Sequence, residues 1–387
     1  MKVAFVFDQL IFGGIERVGI NYLRILVDLG YQVDVYILNP KTESLVNEIP
    51  KECSIKIIRF SHLLCPEKYW YIAKRWNWGK FIFPLVHLGL TLLFPFVRII
   101  KGPKKEYDLA IAFSGHMNDL TFVTSYIKAT KKIGWVHGSI NSYLLLSPGY
   151  QFLYNKIKNL VVLSEDSQIE AFLTNKLTIG RIEKIYNPIF DLNKDSEVTT
   201  IEKLKKQYGD FALMVGRISP QKDHFTVIQA IKILKEKYGK YLKTVFVGDG
   251  PLRKQVEEYA IENGVSDLII FEGTREDVQN YYKAAKIFIH SSPSEGLPTV
   301  LLEAMAAGLP IVATDSKPGV REILGENDCG LICPIKEPEK MAQKVCELLD
   351  DDDLYNQLII KGKQRIGDFS PEAIKVKLNN YIKEIRN

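Results

Sequence analysis

A chain of 387 residues with 46% hydrophobic and 25% charged residues is long enough for two ordinary domains and too apolar for wholesale disorder. Its net charge of +5 is modest and uneven, residues 1–190 holding 23 Lys and Arg against 15 Asp and Glu and the remainder 28 against 31. Nucleic acid is therefore not indicated as a partner, while a first half facing something anionic and an ordinary surface composition both remain open. Five cysteines without a CxxC pair fit a reducing cytosol and argue against a disulfide framework and structural zinc.

Met1 runs straight into a buried-strand pattern with no basic leader region, so no signal peptide is expected. Strand candidates follow at VAFVF (3–7), VDVYIL (33–38), LAIAF (109–113), IGWV (133–136) and LVVLS (160–164), spaced as in a parallel sheet covered by helices. The run FIFPLVHLGLTLLFPFV (81–97) is broken by Pro84 and Pro95 and falls short of a bilayer span; it is expected to cover the next strand. After Asn187-Pro188 the stretch IFDLNKDSEVTTIEK reads as a linker. The alternation then restarts with FALMV (211–215), KTVFVG (243–248), LIIFEG (268–273), IFIHSS (287–292) and PIVATD (310–315). Two Rossmann-like domains in series, residues 1–190 and 191–370, are the economical reading, with a cleft expected between the carboxyl ends of their sheets. Asp350 to Asp353 fall where one surface helix ends and another begins, and are read as solvated rather than as a metal site.

Several loops carry candidate chemistry. FGGIERVG (12–19) is a Gly-Gly turn opening a helix, a candidate phosphate-facing loop through Gly13 and Gly14. It is not the dinucleotide fingerprint, because G-x-G-x-x-G is absent and the second strand ends in Leu38-Asn39 without a ribose-binding acid, which weighs against a dehydrogenase. GWVHGS (134–139) places His137 just after a strand, and FSGHMN places His116 similarly; each is either a structural or a catalytic histidine. MVGRISPQKD (214–223) puts Arg217 and Lys222 at a strand's carboxyl end, where two cations suit a diphosphate or are simply surface charges. In SSPSEGLPTVLLEAMAAGLPIVATD (291–315), Glu295 precedes a core helix opened by Pro298 and continued through Gly308, and Glu303 leans back toward the same loop. Two such carboxylates need hydrogen-bond donors or ion pairs, and a polyol ligand supplies the first.

Together FGGIERV, the HG of 135–138, VLSE, YNP, VGRISPQKD, VGDGPLR, FEGTREDV and SPSEGLPTVLLEAMAAGLPIVAT resemble glycosyltransferase family 4, retaining enzymes of the GT-B fold, over essentially the whole chain. The resemblance implies that Glu295 contacts donor-sugar hydroxyls, Glu303 the nucleotide ribose, and Arg217 and Lys222 the diphosphate. It implies that Gly14 donates a backbone N–H across the cleft, that 271–274 border the base, and that His137 lies near the anomeric carbon. Gly13, Gly273, Thr274, Gly296, Leu297, Pro298 and Thr299 complete the implied nucleotide-sugar site, and residues 371–387 form a helix crossing back onto the first domain. No Asp-x-Asp motif is evident, so no metal or other cofactor is expected, the donor being a substrate.

The activity expected is sugar transfer with retention from a nucleoside diphosphate, a UDP-sugar in first place, to a hydroxyl, with a lipid-linked glycan of surface-polysaccharide assembly as acceptor. The alternatives are another GT-B sugar-nucleotide enzyme, an epimerase or phosphorylase, and a non-catalytic nucleotide-sugar-binding protein. Residues 68–105 combine Lys68, Lys74, Arg75, Lys80, Arg98, Lys101, Lys104 and Lys105 with Trp70, Trp76, Trp78 and the apolar run. That mixture suits peripheral contact with an anionic membrane from the cytoplasmic side; the alternative is a covering helix with tryptophans packed beneath a loop.

Overall fold

The computed structural model describes residues 1–11, 13–39, 45–65, 69, 75–101, 103–178, 180–190 and 196–386. Two compact units emerge, Met1–Pro188 with Pro371–Asn387, and Ile189–Ser370. In the first, Lys2–Phe7 (β1), Gln32–Ile37 (β2), Ser54–Ile57 (β3), Tyr107–Ala112 (β4), Ala129–Val136 (β5), Asn159–Val162 (β6) and Arg181–Lys184 (β7) form one parallel sheet in the order β3-β2-β1-β4-β5-β6-β7. Helices bury both faces, which is why Val3, Phe5 and Phe7, pointing one way, and Ala4 and Val6, pointing the other, are all fully buried. Phe5 stacks on Phe113 at 5.0 Å and Tyr22 meets Trp135 edge-on at 4.9 Å, so aromatic packing fills one layer of this core. The terminal helix Pro371–Arg386 docks on the same unit: Tyr381 donates to the Leu160 carbonyl at 3.1 Å, Tyr31 to Asn379 Oδ1 at 3.2 Å, and Arg181 pairs with Glu384 at 2.5 Å.

The second unit repeats the plan with Phe211–Val215 (β8), Lys243–Val247 (β9), Ile269–Gly273 (β10), Ile287–His290 (β11), Ile311–Thr314 (β13) and Leu331–Cys333 (β15), again all parallel, in the order β10-β9-β8-β11-β13-β15. Ser294–Glu295 (β12) and Lys317–Pro318 (β14) pair separately. Both sheets reverse direction of winding beside their first strand, between β1 and β4 and between β8 and β11. The carboxyl end of such a switch point is where open α/β sheets bind ligands.

Several expectations need correction. The segment read as a linker already becomes helical at Val198–Tyr208, because Leu204 and Tyr208, one turn apart, are buried on the side that meets the helix Val278–Ala284; residues 191–195 lie outside the described residues. The helix after Glu295 ends at Ala307, with Gly308 as its left-handed cap at φ 78°. Pro298 is its N-cap rather than its first turn. The long apolar run is not a covering helix over most of its length: Gly79–Lys101 is one helix in which Phe94 and Val97 rest on the core while Phe81, Leu85, Leu92 and Phe96 face outward. Trp76 and Trp78 do not pack under a loop; they are exposed and stacked at 5.1 Å. Lys68, Trp70 and Lys74 lie outside the described residues, as does Phe12 of the Gly-Gly turn. The acidic run does sit at a helix junction, Asp351 capping the helix Asp352–Arg365 by accepting from the Leu354 N–H at 2.8 Å, although Asp350 pairs with Lys240.

Candidate functional site

In the second unit the loop after β8 and the loop after β11 lie together because these strands are neighbours at the switch point. Ser291 fixes them to each other, its hydroxyl sitting 2.8 Å from the Lys222 carbonyl and 2.9 Å from that of Asp223. Asp223 takes a left-handed conformation, φ 48°, where aspartate is among the better tolerated residues, and its carboxylate accepts from Thr226 Oγ1 at 2.7 Å as the next helix begins. The backbone of the next loop also crowds in: a Cβ on Gly248 would stand 2.1 Å from the Gly216 carbonyl oxygen, so only glycine fits there. Gly319 plays the same part beneath Gly296, with 2.2 Å to that carbonyl oxygen.

The result is a polar cluster. Lys222 Nζ lies 2.5 Å from Glu295 Oε1, and His290 Nε2 lies 3.4 Å from the same oxygen. Side-chain exposures of 24% for Lys222 and 16% for Glu295 make this a largely desolvated pair. Burial pushes the Glu295 carboxyl toward protonation, but the adjoining His290 and the Lys222 charge outweigh it and hold the value down at about 2. His290 itself is buried, and burial pushes its ring below the ordinary histidine range despite the neighbouring carboxylate. Glu303 belongs to a separate contact, accepting from Tyr282 OH at 2.7 Å. Arg217 is exposed at the mouth of its loop. Gly273, φ 70°, ends β10 and accepts from the Gly248 N–H at 2.7 Å, and Thr274 beyond it is exposed. Gly296, Leu297, Pro298 and Thr299 form the turn from Glu295 into the helix Thr299–Ala307.

Because the folded Glu295 carboxyl sits near 2 against an ordinary 4.5, its stabilising contribution is complete above the unfolded value and is lost as pH falls from 4.5 toward 2. The wild-type unfolding free energy is therefore expected to drop more steeply between about pH 5 and 3 than that of Glu295→Gln. Parallel profiles in chemical denaturation would show that Glu295 is not held ionised in this way.

In the first unit the carboxyl ends of β1, β4 and β5 gather a second cluster. Asp8 accepts from Asn118 Nδ2 at 2.7 Å and contacts His116 Nδ1 at 3.1 Å; Asp119, fully buried, accepts from the backbone N–H groups of Gly115 and His116 at 3.1 and 2.8 Å. Burial, with the Asp8 charge, raises the Asp119 carboxyl to about 7, while the hydrogen bond to Asp8 raises His116. His137 stands beside this group, its Nε2 at 2.5 Å from the Phe113 carbonyl oxygen. A carbonyl can only accept, so Nε2 carries the proton and Nδ1 keeps its lone pair. Burial, helped by the His116 charge, pushes His137 down to about 4, so it is neutral at physiological pH. At the Gly13-Gly14 turn, Glu16 folds its carboxylate back to where a Gly13 Cβ would be, 2.3 Å from that position, so an anion arriving at this helix end has to displace it. Sequence reasoning assigned no role to His290, Asp8, Glu16 or Tyr282. His290 lay in view five residues before Glu295, but its burial and its partner depend on strand order.

Residues 197–365 match the family of glycosyl transferases group 1. The match lies wholly inside the second unit and includes Arg217, Lys222, His290, Glu295 and Glu303. Along 94% of both chains, the protein is 25% identical to an uncharacterized glycosyltransferase of Haemophilus influenzae. It is 26% identical, again over 94% of both, to the N-acetylgalactosamine-N,N'-diacetylbacillosaminyl-diphospho-undecaprenol 4-alpha-N-acetylgalactosaminyltransferase of Campylobacter jejuni. The crystal structure of Anabaena HepE with UDP and glucose superposes with a TM-score of 0.75 over 99% of this chain and 100% of that one at 20% identity. The fold is GT-B, an α/β chain of two Rossmann-like sheets.

Proposed function

We propose that the protein is a retaining glycosyltransferase that moves a sugar from a nucleoside-diphosphate sugar, a UDP-sugar in first place, to a hydroxyl of a lipid-linked glycan. The observation that carries this reading is the Lys222–Glu295–His290 cluster at the switch point of the second sheet, inside the segment that matches the glycosyl transferases group 1 family. The donor is supported by HepE, solved with UDP and glucose, and the acceptor by the Campylobacter relative, whose acceptor is carried on diphospho-undecaprenol. Surface-polysaccharide assembly at the cytoplasmic face of the membrane is the setting that such an acceptor implies.

In the proposed reaction the bond from the sugar to the diphosphate breaks with oxocarbenium character, and negative charge grows on the leaving group. Arg217 and Lys222 stabilise that charge, with the Gly13-Gly14 turn as a further donor of N–H groups. Glu295, held ionised by its neighbours, accepts from the donor sugar's hydroxyls, and Glu303 from the ribose. His137, neutral with Nδ1 as its acceptor, takes a substrate hydroxyl. Glu295 already shares its charge with Lys222, which suits it poorly to be a nucleophile. We assign instead attack by the acceptor on the face the diphosphate leaves, with a phosphate oxygen taking the acceptor proton; a glycosyl adduct trapped on Glu295 would overturn that step.

Thermal shifts with UDP-, GDP-, ADP- and dTDP-sugars test the donor, and product analysis with and without acceptor separates transfer from epimerisation and phosphorolysis. No donor turnover in any of these assays leaves a binding protein as the better reading. Two side-chain cations serving the diphosphate also make turnover independent of divalent metal. Activity is expected to survive EDTA unchanged, and a loss restored by Mg²⁺ or Mn²⁺ would overturn that assignment.

A further inference from the structure

The helix Gly79–Lys101 leaves a stripe of Phe81, Leu85, Leu92, Phe96, Ile99 and Ile100 between 64% and 80% exposed. These positions recur at three, four and seven residues, so they form one ridge about 30 Å long. Contiguous apolar surface of that extent on a folded unit marks an interaction site. The opposite face is tied down: Phe94 meets Tyr126 edge-on at 5.5 Å, His87 meets Phe152 at 5.1 Å, and Val97 rests on the core. The helix therefore lies along the surface of its unit rather than projecting from it.

What the ridge faces is indicated by its two ends. Before the first turn stand the stacked, exposed Trp76 and Trp78, with the Arg75 guanidinium 5.9 Å from the Trp76 ring. At the other end opens a cavity of about 670 Å³ whose lining includes Arg98, Lys104 and Lys156 with the hydroxyl residues Thr91, Thr124 and Ser125, and no carboxylate among the described residues. Lys156 donates to Ser125 Oγ at 3.0 Å, and Lys132 reaches the Thr124 carbonyl from behind at 3.0 Å. Burial, with the charges of Lys156 and Arg98, pushes the Lys132 ammonium down to about 8. Arg98, Lys104 and Lys132 form no ion pair among the described residues, and the charges of Arg98 and Lys156 act on Lys132. Lys105 differs: Asp34 holds it at 2.9 Å, which removes it from any surface role.

We propose that the ridge lies in the interfacial layer of a membrane and that the cavity at its carboxyl-terminal end takes the phosphate of an anionic phospholipid. Cations and hydroxyls beside an apolar ridge match a molecule that is phosphate at one end and hydrocarbon at the other, which neither a soluble phosphate nor an uncharged protein helix is. Arg98 presents a planar fork of donors to phosphate oxygens, and Ser125, whose hydroxyl oxygen accepts from Lys156, adds a neutral one. The tryptophan pair provides amphipathic rings at the headgroup level. This inference stands apart from the transferase reading, since vesicle binding involves no donor sugar.

The test is flotation of the full chain with phosphatidylglycerol vesicles, with phosphatidylcholine vesicles alongside, at low and high salt. The wild type is expected on phosphatidylglycerol at low salt, and far less on phosphatidylcholine. Arg98→Gln/Lys104→Gln/Lys156→Gln is expected to weaken binding roughly a hundredfold, each cation near an anionic surface contributing about a fivefold effect. A matched triple on the exposed face of the second unit, Lys203→Gln/Lys205→Gln/Lys206→Gln, is expected to bind as wild type. Leu92→Ser/Phe96→Ser is expected to lose binding with the cations intact. In the unmodified chain, brominated phosphatidylglycerol is expected to quench tryptophan fluorescence, a readout that does not depend on any variant folding. Absence of quenching, equal binding to both lipids, or equal loss in the two lysine-containing triples would overturn the proposal.

Discussion

Lys222→Ala is expected to lower turnover by roughly tenfold to a hundredfold or more, since a charge-assisted bond to a diphosphate contributes about 1.5–3 kcal/mol and each 1.4 kcal/mol is a factor of ten. A second effect follows from the ion pair. Glu295 is 16% exposed and lies 2.5 Å from the ammonium, so removing Lys222 strands a carboxylate that burial already disfavours. The single variant is therefore expected to melt at a lower temperature as well as turn over slowly. Adding Glu295→Gln removes the stranded charge, and the double variant is expected to recover most of the melting temperature while activity stays low. Arg217→Ala, whose side chain is exposed, is expected to lose turnover in the same range with an unchanged melting temperature. Wild-type turnover in either single variant would refute the assignment of these cations to the diphosphate.

Glu295→Ala and Glu303→Ala are expected to fail in different ways, and calorimetry with the bare nucleotide separates them. Glu303, held by Tyr282 at 2.7 Å, is assigned to the ribose, so its removal is expected to weaken nucleotide binding by about tenfold, the effect of one lost hydrogen bond to a charged group. Glu295 is assigned to the sugar. Its removal frees the Lys222 ammonium, which keeps the diphosphate contact, so nucleotide affinity is expected to hold while transfer falls by a hundredfold or more, as when a buried charged partner of the substrate is lost. The opposite pattern would mean that the two roles are exchanged.

The central strands were legible because a strand buried on both faces must be apolar throughout, and runs such as FALMV and VAFVF have no other use; the structure places them at Phe211–Val215 and Lys2–Phe7. Within the two large sheets, the strands that escaped notice are Ser54–Ile57, Arg181–Lys184 and Leu331–Cys333, each at a sheet edge and three or four residues long. An edge strand packs fewer neighbours and tolerates Lys, Arg and Glu, as in SIKI and RIEK, so its pattern fades, while LIC at 331–333 is too short to show a period. The helix Val198–Tyr208 was missed for a related reason, since two buried residues suffice to dock it and the remainder reads as polar loop.

The sequence by itself determined the α/β alternation, the segments that carry Arg217, Lys222, Glu295 and Glu303, and the apolar stretch within the helix Gly79–Lys101, because composition and period are local properties. Only the tertiary structure decided what those residues touch. That Lys222 meets Glu295 across 73 positions of sequence, with His290 on the same oxygen, follows from β8 and β11 being neighbours in the sheet, which no local pattern encodes. The same holds for the apolar helix: its period shows an apolar face, but whether that face meets a core or is left open depends on which element packs there. Here Phe94 and Val97 meet the core and the ridge from Phe81 to Ile100 does not. Burial is a property of the assembled unit, since it is set by neighbours far away in the chain.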